Sequence, residues 1–218
     1  PVTVPTQDMV LGSYYLTYER DPAYDPALAY ETAQAAAKAL ADGALAPNDR
    51  IWVRDEENGR WVRTTPALCA ETEEGALPRE IYNVYAGDDE ARLAYDEGQL
   101  DLHEPILVRR SAAVDGEVRF KLVRTTVGRL IFNEGIPQDL GFVDRTDAEE
   151  MFEPEINFIC GKKQLGKIID RCINKHGFTV SADVLDTIKA RGYKFSTRGS
   201  LTVAIADMTV PPQKAELI

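Results

Sequence analysis

The sequence predicts an α+β fold in which irregular mixed strands with short helices are followed by a helical pair and a strand. Two patterns carry this prediction. Residues 161–176 place apolar side chains at helical spacing, which indicates a helix with one core-facing side: Leu165, Ile168, Ile169, Cys172 and Ile173. Residues 51–54 and 60–64 flank Asn58-Gly59, and Asn-Gly favours a hairpin because both turn residues accept positive φ.

The N-terminal elements are predicted from composition and from helix breakers. Residues 10–16 are apolar and rich in β-prone side chains, which indicates a strand or a buried extended segment. Residues 18–26 contain Asp-Pro twice and indicate a loop. Residues 27–42 are rich in alanine and stop before Gly43, which predicts a helix that ends at a glycine. Trp52 and Trp61 are expected on one face of the hairpin.

A repeat with a spacing of 55 residues runs through the first half of the chain. The first copy contains Ala39, Gly43, Leu45, Ile51, Val53 and Arg54, and these recur as Ala94, Gly98, Leu100, Ile106, Val108 and Arg109. Each copy predicts a helix, a glycine stop, a short loop and a strand. Duplication and a chance match within alanine-rich sequence are both open at this point.

Later elements are marked mainly by glycines. Residues 114–118 predict a tight turn between strands, and residues 139–155 an acidic, irregular loop. Residues 125–133 fit strand and helix equally well. Gly177 is expected to end the helix over 161–176; Ser181 would cap a second helix, and Gly192 would stop it. Residues 201–206 predict a strand.

Composition limits the classes of protein to which the chain can belong. Its 218 residues are 44% apolar and 28% charged, which is typical of a folded protein. No apolar run reaches 18 residues, so no membrane span and no membrane partner are predicted. Cys69, Cys160 and Cys172 form no C-x-x-C pair, which favours reduced thiols in the cytoplasm over a disulfide framework or a zinc site.

The net charge of −11 is unevenly distributed. Residues 1–110 carry 21 acidic and 10 basic side chains, whereas residues 160–203 carry nine basic and three acidic ones. The acidic first half disfavours polyanions, and the basic stretch could attract them.

No catalytic motif stands out in the sequence. The chain has no P-loop, no G-x-G-x-x-G and no G-x-S-x-G. Asp88-Asp89-Glu90 opens a predicted helix, where acidic residues favour the positive end of the helix dipole, so a metal site is not expected there. His103 and His176 lie far apart in sequence and are interpreted as structural.

Three blocks of sequence resemble the β′ subunit of bacterial DNA-directed RNA polymerase, in the same order. The first is PTQDMVLGSYYLT at residues 5–17, which resembles the segment after the family's catalytic metal loop. The second is TTVGRLIFN at residues 125–133, with Pro137. The third runs from GKKQLGKII at residues 161–169 to STRG at residues 196–199 and Asp207.

The blocks cover residues 1–17 and 93–218 and leave about 19–84 unmatched. Residues 1–18 with 93–157 are interpreted as a β-rich core of the pore type, 19–92 as an insertion and 158–218 as a helical segment of the funnel type. An apolar run so close to residue 1, without an initiator Met, is expected of a piece of a longer polypeptide.

The resemblance implies a function in transcription. The whole enzyme is a nucleotidyltransferase that binds DNA and makes RNA from nucleoside triphosphates. Its β, α and ω subunits and the rest of β′ would be the partners of this chain. The family binds magnesium and zinc elsewhere in the full subunit, so no cofactor and no activity are expected of this fragment, which lacks Asp-x-Asp-Gly-Asp. The alternative is a stand-alone acidic protein-interaction module.

The resemblance also implies that some side chains face the secondary channel, through which nucleotides reach the active centre: Gln7, Asp8, Lys163, Lys167, Arg171, Lys175 and Arg198. For Gln7 the alternative is a structural hydrogen bond. For the four cations at a spacing of four from Lys163 to Lys175, called here the basic stripe, the alternative is a plain solvated helix face. Gly128-Arg129 could form a phosphate-binding turn, but a framework role is favoured.

Overall fold

The structure is a computed structural model that describes residues 4–114, 116–202 and 204. The chain divides into two compact units. A terminal unit combines Pro1–Leu16 with Cys160–Ile218, and a central unit comprises Thr17–Ile159. This division does not decide whether residues 19–92 are an insertion, which stays a prediction.

The α+β prediction is confirmed. In chain order the elements are α1 (Asp8–Thr17), β1 (Ala29–Tyr30), α2 (Ala33–Ala41), β2 (Ile51–Arg54), β3 (Trp61–Thr64), α3 (Pro66–Ala70), β4 (Asn83–Tyr85), α4 (Asp88–Asp96), β5 (Ile106–Val114), β6 (Glu117–Thr125), α5 (Val127–Asn133) and α6 (Lys162–Arg198). None of the described helices is long and apolar enough to cross a membrane.

The central unit contains two modules with the same order of elements: strand, helix, strand, strand, helix. The first module spans residues 29–70 and the second spans residues 83–133. Each forms a three-stranded sheet whose first strand is parallel to the second and whose second is antiparallel to the third. The predicted helix over residues 27–42 begins later than expected, at Ala33, because Ala29–Tyr30 is a strand.

The two modules share their strand register as well as their order. Ala29 pairs with Trp52, and Val84 pairs with Leu107, so both partners are displaced by 55 residues. After α2 and α4, Gly43 and Gly98 have φ values of 75° and 76°, a conformation that glycine adopts without steric cost.

A second correspondence follows the hairpins at a spacing of 61, because the hairpin of the second module is six residues longer. Val-Arg-Thr-Thr stands at residues 62–65 and again at 123–126. The last threonine of each copy, Thr65 or Thr126, caps the helix that follows by accepting a backbone N–H. The 125–133 block therefore combines the end of a strand with a helix.

The predicted hairpin over residues 51–64 is confirmed, but its turn differs from the expectation. Trp52 pairs with Arg63 and Trp61 with Arg54, so both tryptophans lie on one face. Gly59 has a φ of 67°, whereas Asn58 does not have positive φ. The loop is longer than two residues because Asp55 accepts from the side-chain amide of Asn58 at 2.9 Å and from two backbone N–H groups.

Residues 139–155 are irregular, as predicted, and buried polar side chains hold this segment. Asn133 donates to the carbonyl of Ile156 and accepts from its N–H, at 2.8 and 3.0 Å. Glu155, whose side chain is buried, accepts from the N–H of Phe142 at 2.8 Å and pairs with Arg145. Charged and amide groups thus replace regular secondary structure here.

The prediction of a strand at residues 10–16 is wrong, because these residues form α1. Its buried positions are Gly12, Ser13, Leu16 and Thr17, a helical spacing formed mainly by small or polar residues. A Cβ on Gly12 would meet the carbonyl oxygen of Gly192 at 1.8 Å. Glycine is required because α1 and α6 touch backbone to backbone at this crossing.

The boundaries within α6 also differ from the prediction. Gly177 interrupts the helix with φ 78° and ψ −176°, which confirms a break there. Ser181 is not a cap; it is buried and donates to the carbonyl of Gly177 at 2.7 Å. Gly192 does not stop the helix, which continues to Arg198, because this glycine serves the contact with α1. The strand predicted at residues 201–206 falls largely outside the described residues.

Candidate functional site

The basic stripe lies on the first part of α6, before the break at Gly177. Its four side chains are exposed, while the opposite side of the same segment is buried: Leu165, Ile168, Ile169 and Cys172. Side chains four residues apart lie on one side of a helix. The stripe therefore presents four cations in a row on a segment whose other side is fixed in the core of the terminal unit.

Gln7 and Asp8 lie at the start of α1. Gln7 has a φ of 49° and its carbonyl accepts from the N–H groups of Val10 and Leu11, both at 3.0 Å. Its side chain and that of Asp8 are exposed. The backbone of Gln7 thus has a structural role in starting the helix, and its side chain is accessible.

The structure associates α1 with the second part of α6. Gly192 lies against Met9, and Gly199 lies against the ring of Tyr15. Val4, Pro5 and Met9 also line a cavity with Ala182, Leu185, Asp186 and Lys189. Arg198 is exposed in the last turn of α6, at the end that α1 contacts. The predicted site residues thus fall into two groups, the basic stripe before Gly177 and the α1 contact region after it.

Gly128-Arg129 does not form an exposed anion-binding turn. Every residue of α5 is buried, and the N–H of Gly128 donates to the carbonyl of Leu102 at 3.0 Å. The guanidinium of Arg129 donates to the carbonyl of Thr17 at 3.1 Å and to Glu19 at 3.0 Å. The framework interpretation of this block is confirmed.

A polar network centred on Glu19 and Arg124 was not predicted. Glu19 accepts from both Arg124 and Arg129, and Arg124 also donates to the hydroxyl of Tyr82 at 3.2 Å. Tyr82 donates in turn to Glu80 at 2.7 Å. Burial lowers the pKa of Arg124, but its bonds to Glu19 and Tyr82 outweigh this and raise it. Repetition of Val-Arg-Thr-Thr was the signal in the sequence that singled out this arginine.

The groups that could perform metal or thiol chemistry are placed structurally. Within the described ranges, no three His, Cys, Asp or Glu side chains gather as a metal site. Asp88-Asp89-Glu90 forms the first turn of α4, as predicted. His103 is buried with its ring edge-on to Tyr18. All three cysteines are free and buried, and burial raises the pKa of Cys69 to about 11, which suppresses the reactive thiolate.

The arrangement therefore offers a cationic helix face and a rigid polar framework, with no assembled catalytic group among the described residues. Comparison with known proteins gives a consistent picture. Residues 1–208 match the family described as RNA polymerase Rpb1, domain 3. The whole chain is 41% identical to part of the DNA-directed RNA polymerase subunit beta' of Acetivibrio thermocellus and 40% identical to that of Clostridium acetobutylicum. The subunit from Caldicellulosiruptor saccharolyticus is 38% identical. Each match covers 100% of this chain but only 14% of the relative.

Proposed function

The chain belongs to the RNA polymerase β′ family, and on that premise we propose that it is a non-catalytic part of a β′ subunit that takes part in DNA-templated RNA synthesis. The observation that carries the proposal is the similarity to β′ subunits over all 218 residues. In the complete enzyme its partners would be the β, α and ω subunits and the rest of β′, in the cytoplasm. DNA and RNA would be bound through the whole assembly.

The contribution of this part would be to shape the secondary channel. The Glu19, Arg124 and Arg129 network would fix the central unit, and its buried charge pairs are of the kind that lose several kcal/mol when one partner is removed. Since no group among the described residues is arranged for phosphoryl transfer, catalysis and its magnesium ions would belong to other segments of the subunit.

The basic stripe would draw nucleoside triphosphates into the channel. Its cations are exposed and stand within a chain of net charge −11, so they form a local positive region in a negative surround. A concentrated positive surface raises the local concentration of anionic substrates. Gln7, Asp8 and Arg198 would line the channel at the other group of predicted residues.

The stripe is tested by changing Lys163, Lys167, Arg171 and Lys175 to Gln in the complete polymerase. Exposed substitutions of this kind cost within about half a kcal/mol each, so folding should be retained. The apparent nucleotide affinity should fall, and most at low ionic strength, where steering is least screened. The measurement is the nucleotide dependence of elongation rate across a salt series.

A matched control uses two exposed cations of the same helix after the break. Lys189→Gln with Lys194→Gln removes as much charge as Lys163→Gln with Lys167→Gln, from positions outside the stripe. Only the stripe pair should weaken nucleotide use. Equal salt-dependent defects in the two pairs, or none in either, would leave the stripe as a solvated helix face.

A further inference from the structure

The hairpin of the second module carries an unusual exposed row of apolar side chains. β6 is an edge strand, since the described strands follow the order β4-β5-β6. Val118, Phe120 and Leu122 alternate along it, and 65%, 56% and 46% of their surface is exposed. Side chains two residues apart lie on one face of a strand. A contiguous apolar row of this kind marks a contact surface.

The backbone of the same three residues faces the free edge. The carbonyl of Arg124 accepts from the side-chain amide of Asn157 at 3.0 Å, so it points away from β5. Backbone groups in an antiparallel pair alternate between facing the partner and facing outward. Leu122, Phe120 and Val118 follow Arg124 in steps of two and therefore direct their N–H and C=O groups outward.

The connection at the tip of the hairpin gives an independent check. Val114 pairs with Glu117, so the loop has two residues. In such a hairpin the pair that closes the loop exchanges both backbone bonds. Counting from Glu117 makes positions 119, 121 and 123 face β5, and again leaves positions 118, 120 and 122 facing outward.

Charge indicates what kind of strand fits this edge. The hairpin over residues 106–125 carries five cations against two acids, within a half of the chain that is otherwise acidic: Arg109, Arg110, Arg119, Lys121 and Arg124 against Asp115 and Glu117. The guanidinium of Arg109 lies 3.9 Å from the centre of the Phe120 ring, on the apolar face. A partner that covers Phe120 brings its own side chains beside this cation.

We propose that β6 is a docking edge for an extended polypeptide strand with alternating apolar and acidic side chains, supplied by a part of the polymerase outside residues 1–218. Its backbone would pair with Val118, Phe120 and Leu122, its apolar side chains would extend their row, and a carboxylate would meet Arg109. Strand addition of this type satisfies the open backbone groups of an edge. The inference rests on the proposed function, because the partner is placed in the assembled enzyme.

Nucleic acid fits the edge less well. It would use the cations and could stack on Phe120, but it would leave the outward row of alternating N–H and C=O groups unpaired. Lys121, on the opposite face, is also already bound to the carboxylate and carbonyl of Glu149, at 2.6 and 2.7 Å.

Amide hydrogen exchange distinguishes these occupants, compared between the isolated chain and the complete polymerase. Strand addition predicts that the N–H groups of Val118, Phe120 and Leu122 slow by at least about 100-fold on assembly, as expected for edge amides that become hydrogen-bonded. Free exchange of these amides in a polymerase that transcribes normally would overturn the docking proposal while leaving the proposed function intact.

Two variants at one position sharpen the test. Phe120→Pro removes an outward N–H without breaking the ladder to β5, a position where proline is tolerated in an edge strand. Protection of Val118 and Leu122 in the complete polymerase should then fall to the level of the isolated chain. Phe120→Val keeps the N–H and a β-branched side chain, so protection should persist. Equal protection in both variants would overturn the proposal.

Two further outcomes assign the surface to another occupant. Protection of these amides in the isolated chain that appears only with concentration, together with a dimer in sedimentation, would assign the edge to a second copy. A cross-linker at position 120 that captures nucleic acid, with the amides unprotected, would assign the face to nucleic acid. Either result would overturn the proposal.

Discussion

The two modules of the central unit have the same backbone plan and different surroundings. Their strands share one register, their helices follow the same spacing, and a threonine caps the last helix of each. Yet all seven residues of α5 are buried, whereas in α3 only Pro66 and Cys69 are. Local signals such as caps and glycines therefore set the plan, and long-range contacts decide what each copy does.

The difference is clearest at equivalent side chains. Position 129 of the second module corresponds to position 68 of the first, so a buried arginine stands where the first module has a half-buried leucine. Arg124 corresponds to Arg63, but the side chain of Arg124 is 40% exposed and that of Arg63 is 8% exposed. Arg63 pairs with Glu104 at 2.8 Å, and so binds the first module to the second.

The largest expected effect is at Arg129. Arg129→Met should lower the free energy of unfolding by about 3 kcal/mol, because it leaves the Thr17 carbonyl and part of Glu19 without a donor in a buried site. Leu68→Met, which introduces the same residue at the equivalent position, should cost less than about 1.5 kcal/mol. Urea unfolding of both variants measures the difference. Similar costs would mean that the modules do not differ here.

The paired arginines should also separate. Arg63→Met should cost about 2 to 3 kcal/mol, since it leaves the largely buried Glu104 without its cation. Arg124→Met breaks a more exposed pair and should cost no more than about 1 kcal/mol. Thermal unfolding of the two variants under identical conditions tests the order, which would be reversed if exposure did not control the value of the pair.

The capping threonines should behave alike. Thr65→Ala and Thr126→Ala each remove a hydroxyl that accepts a backbone N–H at the start of a helix, and each should cost about 1 kcal/mol. Ser at either position should restore most of the loss. A cost confined to one module would show that the shared cap is not equally important in both.

The smallest effect concerns pH and the short hairpin. The side-chain amide of Asn58 lowers the pKa of Asp55, although burial opposes it, and the N–H groups of Asn58 and Glu57 add to the lowering. A lowered folded-state pKa gives stability that is present above the unfolded value near 3.8 and is lost as pH falls through the folded value. Asp55→Asn should therefore flatten the loss of stability below about pH 4. Unchanged acid sensitivity in urea titrations would contradict this.

Elements with strong periodicity could be predicted from the sequence. The helix before Gly177 has five apolar residues in step, and the hairpin at Trp52 and Trp61 alternates cleanly. α1 could not be identified, because Gly12, Ser13 and Thr17 bury a helical side without forming an apolar period. Gly192 was interpreted as a stop for the same reason: a glycine that permits close helix contact looks like one that ends a helix.

The exposure of the basic stripe was predictable because one helix supplies all four cations. The network around Glu19 was not, since Glu19 and Arg124 are 105 residues apart and no local pattern marks such a pair. The same holds for Arg63 and Glu104. Charge pairs between distant segments are the part of this molecule that composition and spacing leave undetermined.

The shared register of the two modules has a consequence for folding. β1 pairs with a strand that reads Ile-x-Val-Arg, and β5 offers the same letters at the same positions, so a swapped pairing would satisfy the same backbone bonds. Tyr30 lies 23 residues from Val53 but 78 from Val108, and the longer loop costs about 1 kcal/mol more, or roughly a sixfold preference for the native partner. That margin is small. During synthesis, however, the first module emerges before its competitor exists, so the order in which the chain leaves the ribosome protects a pairing that equilibrium preference alone guards weakly.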